Sequence, residues 1–314
     1  LDELRAAPEL IGKAYRIEDA IGRYPVYLKS LVEREVKFDG LKVVLDCAHG
    51  AAYRVAPLVF SELGATLILA GCEPDGKNIN DGVGSLYPDR IAALVREHRA
   101  DIGIAFDGDA DRVIFCDERS HIFDGDSTLA LLATNLKAAK QLPGDGVVGT
   151  VMCNLGLELA LRQQGITLYR SDVGDRYVLA EMQSRGLTLG GEQSGHIISL
   201  AHNTTGDGIM TALLVASILV RGEKPLSHYS AIVSRMPQVL INVPVKQKIP
   251  FADVPEVTAA LRAIEPRLQG TGRVLLRYSG TEAKARIMVE SEDDSLCRSV
   301  AQEMADVIRK RLAP

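Results

Sequence analysis

Three carboxylates at i, i+2 and i+4 occupy the run Asp107-Gly108-Asp109-Ala110-Asp111-Arg112, separated only by small residues. The run directly follows Ile102 to Phe106, which reads as a buried strand, so the acids emerge at a strand's carboxyl end. Three negative charges crowded there are unfavourable unless a cation joins them. Hard carboxylate oxygens on a tight loop suit a small divalent ion such as Mg2+. A solvated acidic turn is the plainer reading of the same residues.

A second cluster is Gly190-Gly191-Glu192-Gln193-Ser194-Gly195-His196, expected to follow a strand over Leu187 to Leu189. Glu192, Ser194 and His196 alternate, which would put a carboxylate, a hydroxyl and an imidazole on one side of an extended loop. Together such groups can hold neighbouring sugar hydroxyls. The third cluster, Arg277-Tyr278-Ser279-Gly280-Thr281-Glu282, falls between strands expected over Arg273 to Leu276 and Arg286 to Glu290. Two hydroxyls, backbone N–H groups freed by Gly280 and the guanidiniums of Arg277 and Arg286 make an anion cradle, or else a hairpin turn with surface arginines. Val173-Gly174-Asp175-Arg176-Tyr177 opens a helix, where Asp175 either caps it or meets a ligand. The loop Cys72 to Asn80 is too long for a minimal strand-to-helix turn and suggests a functional insertion.

The elements that must position these groups follow a regular alternation. Strands are expected over Leu41 to Asp46, Thr66 to Ala70 and Ile102 to Phe106, with helices over Tyr53 to Leu63 and Pro88 to His98. A similar block follows, with strands over Val147 to Val151, Ile166 to Arg170 and Leu187 to Leu189. Its helices are Asp126 to Lys140, Leu155 to Gln164, Asp175 to Ser184, Asp207 to Val220 and Leu226 to Val233. Both blocks have the signature of parallel βαβ units. Prolines 237, 244, 250 and 255 then mark a linker into a module with strands Gln238 to Val245, Arg273 to Leu276 and Arg286 to Glu290 and helices Val254 to Ile264 and Asp294 to Leu312. The fold class is therefore α/β, with two consecutive three-layer α/β domains followed by a smaller α+β C-terminal domain.

Composition narrows the function. The chain has 314 residues, 46% of them hydrophobic and 25% charged, with a net charge of only -5. Interspersed acids and bases argue against a nucleic-acid or membrane-surface partner, so any phosphate binding is local. Five widely separated cysteines lack zinc or redox spacing, and a cytoplasmic location follows. The longest apolar stretch, Ile209 to Val220, is too short to span a bilayer. Leu1 is not an initiator methionine and Leu1 to Pro25 shows no strand, so the chain is expected to start inside a longer protein.

In these residues the chain resembles the α-D-phosphohexomutase superfamily, and most closely its phosphoglucosamine mutase branch. The loops DGDADR, GEQSGH and RYSGTE occur in the family's order, and CEPDGKNIN, VGDRYVL and NTTGDGI match that branch. The resemblance implies domains two to four of a four-domain enzyme: a remnant linker over 1–20, a metal-binding domain over 21–121, a sugar-binding domain over 122–235 and a phosphate-binding domain over 236–314. It also implies a reversible exchange of glucosamine 6-phosphate and glucosamine 1-phosphate through a bisphosphorylated sugar, in the supply of amino-sugar and peptidoglycan precursors.

The resemblance assigns roles as well. Asp107, Asp109 and Asp111 would hold Mg2+ together with a phosphoserine oxygen, and Arg112 would stand near the transferring phosphate. Glu192, Ser194 and His196, with Asp175 and Arg176 beside them, would hold the sugar. Arg277, Ser279, Gly280, Thr281 and Arg286 would clamp the other phosphate. The family's nucleophile is a serine in a Ser-His-Asn-Pro loop, and no such loop occurs in this sequence. The chain is thus expected to be inactive alone. Tyr278 and Ala283 stand where relatives commonly carry other residues, beside the phosphate ligands without removing any. Competing expectations are a phosphomannomutase or phosphoglucomutase, a magnesium phosphatase using a nucleophilic aspartate, or a sugar-phosphate-binding fragment without turnover. Oligomeric state is not legible in the sequence.

Overall fold

The computed structural model describes residues 10, 12–13, 15, 20–268, 272–280 and 282–313. The first unit contains α1 (Ala20–Ser30), β1 (Lys42–Asp46), α2 (Ala52–Glu62), β2 (Thr66–Ala70), α3 (Pro88–His98), β3 (Ile102–Phe106), β4 (Val113–Asp117) and β5 (Ile122–Phe123). Its sheet runs β2-β1-β3-β4-β5, with β1, β2 and β3 parallel and β4 and β5 antiparallel. Continuous apolar strands are what a sheet covered on both faces requires. Val43, Leu45, Ile104 and Phe106 face one core, while Val44, Ala105 and Ile114 meet Ile91 and Val95 of α3 in another.

The second unit contains α4 (Gly125–Ala138), β6 (Gly146–Thr150), α5 (Leu155–Gln163), β7 (Thr167–Ser171), α6 (Asp175–Arg185), β8 (Leu189–Gly191), β9 (Ile197–Ser199), α7 (Gly208–Gly222) and α8 (Leu226–Tyr229). Its sheet runs β7-β6-β8-β9, parallel except for β9. Asp124 caps α4 and Asn154 caps α5, each accepting a backbone N–H of the first turn. Helix α7 is buried along most of its length and packs on α1, α2, α4, β3 and β4. One apolar core therefore joins side chains of both sheets, from Val43 and Ile104 to Val147 and Leu189.

The last unit contains β10 (Gln238–Pro244), α9 (Pro255–Leu268), β11 (Gly272–Tyr278), β12 (Lys284–Ser291) and α10 (Asp294–Leu312). The sheet is antiparallel in the order β10-β12-β11 and has a core of its own. Ala285, Ile287 and Val289 point into that core with residues of α9 and α10. By strand alternation, Arg286, Met288 and Glu290 face the other way, beside Arg277, Leu275 and Arg273 of β11.

Several expectations are corrected here. Helix α1, with Pro25 inside it, occupies a stretch where no element was expected, and β4, β5 and β9 were not anticipated. Helix α8 stops at Tyr229 instead of Val233. Strand β8 includes Gly190 and Gly191, and β11 runs to Tyr278, so Arg277 lies in a strand. Most of the expected linker over 1–20 falls outside the described residues, as does Thr281.

Candidate functional site

The acidic run forms the tight connection between β3 and β4, closed by the Ala110 N–H on the Asp107 carbonyl (3.1 Å) and the Arg112 N–H on Asp107 Oδ1 (3.1 Å). Ala110 turns with φ +63°. Asp107 is buried, Asp111 half-buried and Asp109 exposed, yet one oxygen of each lies within 4.8 Å of the others. Burial pushes the Asp107 carboxyl up to about 6, helped by Asp111 and Asp109 and opposed by Arg112. Arg112 Nε, 2.7 Å from Asp107 Oδ2 and 3.4 Å from Asp111 Oδ1, is the cation at hand. The donor set, three convergent hard oxygens short of positive charge, fits a divalent ion such as Mg2+.

The backbone behind this loop is crowded. A Cβ on Gly108 would meet Asn80 Nδ2 at 2.6 Å and Ile79 at 2.8 Å, and one on Gly50 would meet the Gly108 carbonyl at 2.1 Å. The long loop from Cys72 thus buttresses the acids through its last two residues. Its own shape comes from Asp75, which accepts the N–H groups of Lys77 and Asn78.

Gln193 to Gly195 make a tight turn instead of the extended loop expected from the sequence. Gly195, at φ +94°, closes it by donating to the Glu192 carbonyl at 3.0 Å. The turn is sewn to the acidic connection by an Arg112–His196 bridge and by the Val113 N–H on the Gly195 carbonyl at 3.2 Å. Its three polar side chains meet different surroundings. Ser194 is exposed, Glu192 Oε1 accepts the Gly174 N–H at 3.0 Å, and His196 is buried with Nδ1 3.1 Å from Asp111 Oδ2. The imidazole therefore faces the acidic connection, which corrects the expectation that it aligns with Glu192 and Ser194. Asp175 is the first residue of α6 and makes no side-chain cap, and Arg176 lies exposed over the Tyr177 ring at 4.5 Å.

The arginines sit on the C-terminal sheet, with Arg277 directly opposite Arg286. Burial and the neighbouring Arg286 charge hold the Arg277 guanidinium below its ordinary value. Arg286 Nη2 reaches Ser279 Oγ at 3.2 Å and Glu282 only at 3.9 Å, while the buried Nε of Arg286 has no hydrogen-bond partner among the described residues. Ser279 is buried and Gly280 opens onto free space. Two cations with little counter-charge fit an anion cradle better than a structural turn.

Sequence reasoning missed Asp126, Asn154 and Glu290, all buried, which tie the turn at Gln193 to the C-terminal sheet. A buried acid two residues past a helix cap carries no local signal of this kind.

Residues 25–121 match the alpha/beta/alpha domain II of phosphoglucomutase/phosphomannomutase, residues 124–236 match domain III, and residues 240–307 match the C-terminal domain. A phosphoglucosamine mutase of Solidesulfovibrio magneticus is 52% identical over 98% of the chain and 68% of its own length. The chain belongs to the phosphoglucosamine mutase family.

Solved structures give the same fold. A phosphoglucomutase/phosphomannomutase family protein from Burkholderia thailandensis superposes with a TM-score of 0.76 at 22% identity, over 95% of this chain and 66% of that one. An N-acetylphosphoglucosamine mutase of Aspergillus fumigatus, in complex with GlcNAc-6P and magnesium, gives 0.73 at 20% identity over 92% and 69%. The chain spans about two thirds of the length of these family members. Among the described residues no helix is long and apolar enough to cross a membrane.

Proposed function

We propose that the chain carries the metal, sugar and phosphate loops of a phosphoglucosamine mutase, interconverting glucosamine 6-phosphate and glucosamine 1-phosphate through a bisphosphorylated sugar. The observation that carries this reading is the aspartate trio within 4.8 Å, joined by backbone to the Glu192 turn. Asp107, Asp109 and Asp111 would hold Mg2+, which when bound supplies charge neutralisation to a phosphoryl oxygen. Arg112 stands at the edge of that cluster to meet the same phosphoryl group, and His196 keeps Asp111 in place. Glu192 and Ser194 take sugar hydroxyls, with Asp175 and Arg176 on the neighbouring loop. Arg277 and Arg286, with Ser279 and Gly280, clamp the phosphate that is not being transferred, and Thr281 joins them by resemblance. A sugar held by its hydroxyls and by either phosphate can be bound in two orientations, which the exchange requires.

Because the sequence has no Ser-His-Asn-Pro loop to donate a phosphoryl group, the 314 residues bind but do not turn over alone. Titration calorimetry with Mg2+ present is expected to show binding of glucosamine 6-phosphate in preference to glucose and mannose 6-phosphates. Phosphorus NMR of the same mixture is expected to show no new sugar phosphate. Preference for glucose or mannose would move the chain to another mutase branch, and conversion by the chain alone would refute the requirement for an external serine.

A further inference from the structure

The Glu192 turn and the arginine pair belong to different units, yet a run of buried and half-buried polar contacts joins the turn to the sheet that carries the pair. It starts at Gln193, in the middle of the turn, whose Nε2 donates to Asp126 Oδ2 at 3.1 Å. The same oxygen accepts the Asn154 backbone N–H at 2.8 Å. Asn154 Oδ1 accepts the Met236 N–H at 2.9 Å, and its Nδ2 donates to the Met236 carbonyl at 3.1 Å and to Glu290 Oε1 at 3.0 Å. Glu290 Oε2 accepts the Leu155 N–H at 3.2 Å and pairs with Arg273, which also donates to the Cys153 carbonyl at 2.6 Å.

Asp126, Asn154 and Glu290 are exposed by 2%, 1% and 0%. Both Glu290 oxygens are matched by donors in fixed positions, whereas Asp126 takes two donors on Oδ2 and none on Oδ1 among the described residues. Buried polar groups held by fixed donors specify one geometry. Glu290 and Arg286 share one face of β12, four residues apart, and Arg273 and Arg277 are their partners on β11. The two rungs are about 13 Å apart on one rigid ladder. Whatever fixes Glu290 therefore fixes where the arginine pair points.

We infer that the chain Gln193–Asp126–Asn154–Glu290 is a strut that sets the separation and orientation of the sugar turn and the phosphate clamp, making Asn154 and Glu290 positioning residues. The identity of the bound sugar phosphate rests on the functional reading above, whereas the strut itself does not. Only a ligand that touches both ends depends on the strut. Inorganic phosphate needs the arginine pair alone.

Two variants of the full 314-residue chain test this from opposite ends. Glu290→Gln keeps size but loses one acceptor and the charge facing Arg273, and Asn154→Ser keeps a helix cap but loses both links to Met236 and Glu290. In each, hydrogen exchange at Leu155 and Met236 is expected to quicken about tenfold or more, while amides inside β11 and β12 stay within about twofold. The dissociation constant for glucosamine 6-phosphate is expected to rise about tenfold, with that for inorganic phosphate nearly unchanged. Unchanged exchange at Leu155 and Met236, faster exchange throughout the C-terminal sheet, or parallel loss of both ligands would overturn the strut. If the unmodified chain fails to bind glucosamine 6-phosphate, the functional reading falls while the exchange data still decide the strut.

Discussion

Arg277 and Arg286 face each other across β11 and β12, and guanidiniums so placed repel until an anion lies between them. Arg277→Gln is therefore expected to leave thermal stability equal or slightly higher while weakening sugar-phosphate binding by about tenfold or more. Calorimetric titration beside a melting curve checks both halves, and a destabilised variant with intact affinity would contradict them. Asp126 offers a test with pH, because burial, then Asp124, pushes its carboxyl up to about 6. Between about 4 and 6 the folded chain keeps a proton that the unfolded chain releases, so this group's contribution falls as pH rises through that window. Above it the penalty is constant, on the order of 3 kcal/mol. Asp126→Asn should gain stability over the unmodified chain at pH 7.5 and lose that gain near pH 4, as read by urea denaturation; a pH-independent difference would contradict this. The aspartate trio was legible in the sequence because its signal is local spacing. The bearing of His196 was not, since its ring is aimed by a strand bridge to a loop more than 80 residues away.

At the scale of elements, the site exists because two strand ends are sewn together. Gly195 is the stitch, at φ +94° with its Cα so close to β4 that an added Cβ would lie 2.2 Å from the Val113 carbonyl. Gly195→Ala combines that overlap with a left-handed backbone and is expected to destabilise the chain by about 3 kcal/mol or more. Because the turn also carries His196 against Asp111, Mg2+ affinity should fall with stability, which a metal titration on the folded fraction checks; full affinity in a destabilised chain would disconnect turn from metal. The strands β1, β2, β3, β6 and β7 were legible as short apolar runs between amphipathic helices. Strands β4 and β9 were hidden, as each begins inside a loop whose polar residues drew attention to chemistry instead of pairing. The overlong Cys72 loop was seen, but its task of backing Gly108 depends on packing that no spacing reveals.

Across the whole molecule, the shared core of the first two units and the separate core of the third make two bodies. The prolines suggested a linker into a separate module beginning with a strand over Gln238 to Val245; that strand forms as β10, which follows Pro237 and ends at Pro244. The aspartates stand on one body and the arginines on the other, so under the proposed function a sugar with phosphates at both ends would have to bridge the two. Mn2+ shares the oxygen-ligand preference of Mg2+ and broadens nearby phosphorus signals. With Mn2+ and glucosamine 1,6-bisphosphate bound to the chain, one phosphorus resonance should broaden far more than the other, and Asp109→Asn should abolish the difference. Equal broadening of both phosphates, or an asymmetry that survives Asp109→Asn, would contradict a hexose bridging the metal loop and the arginine clamp.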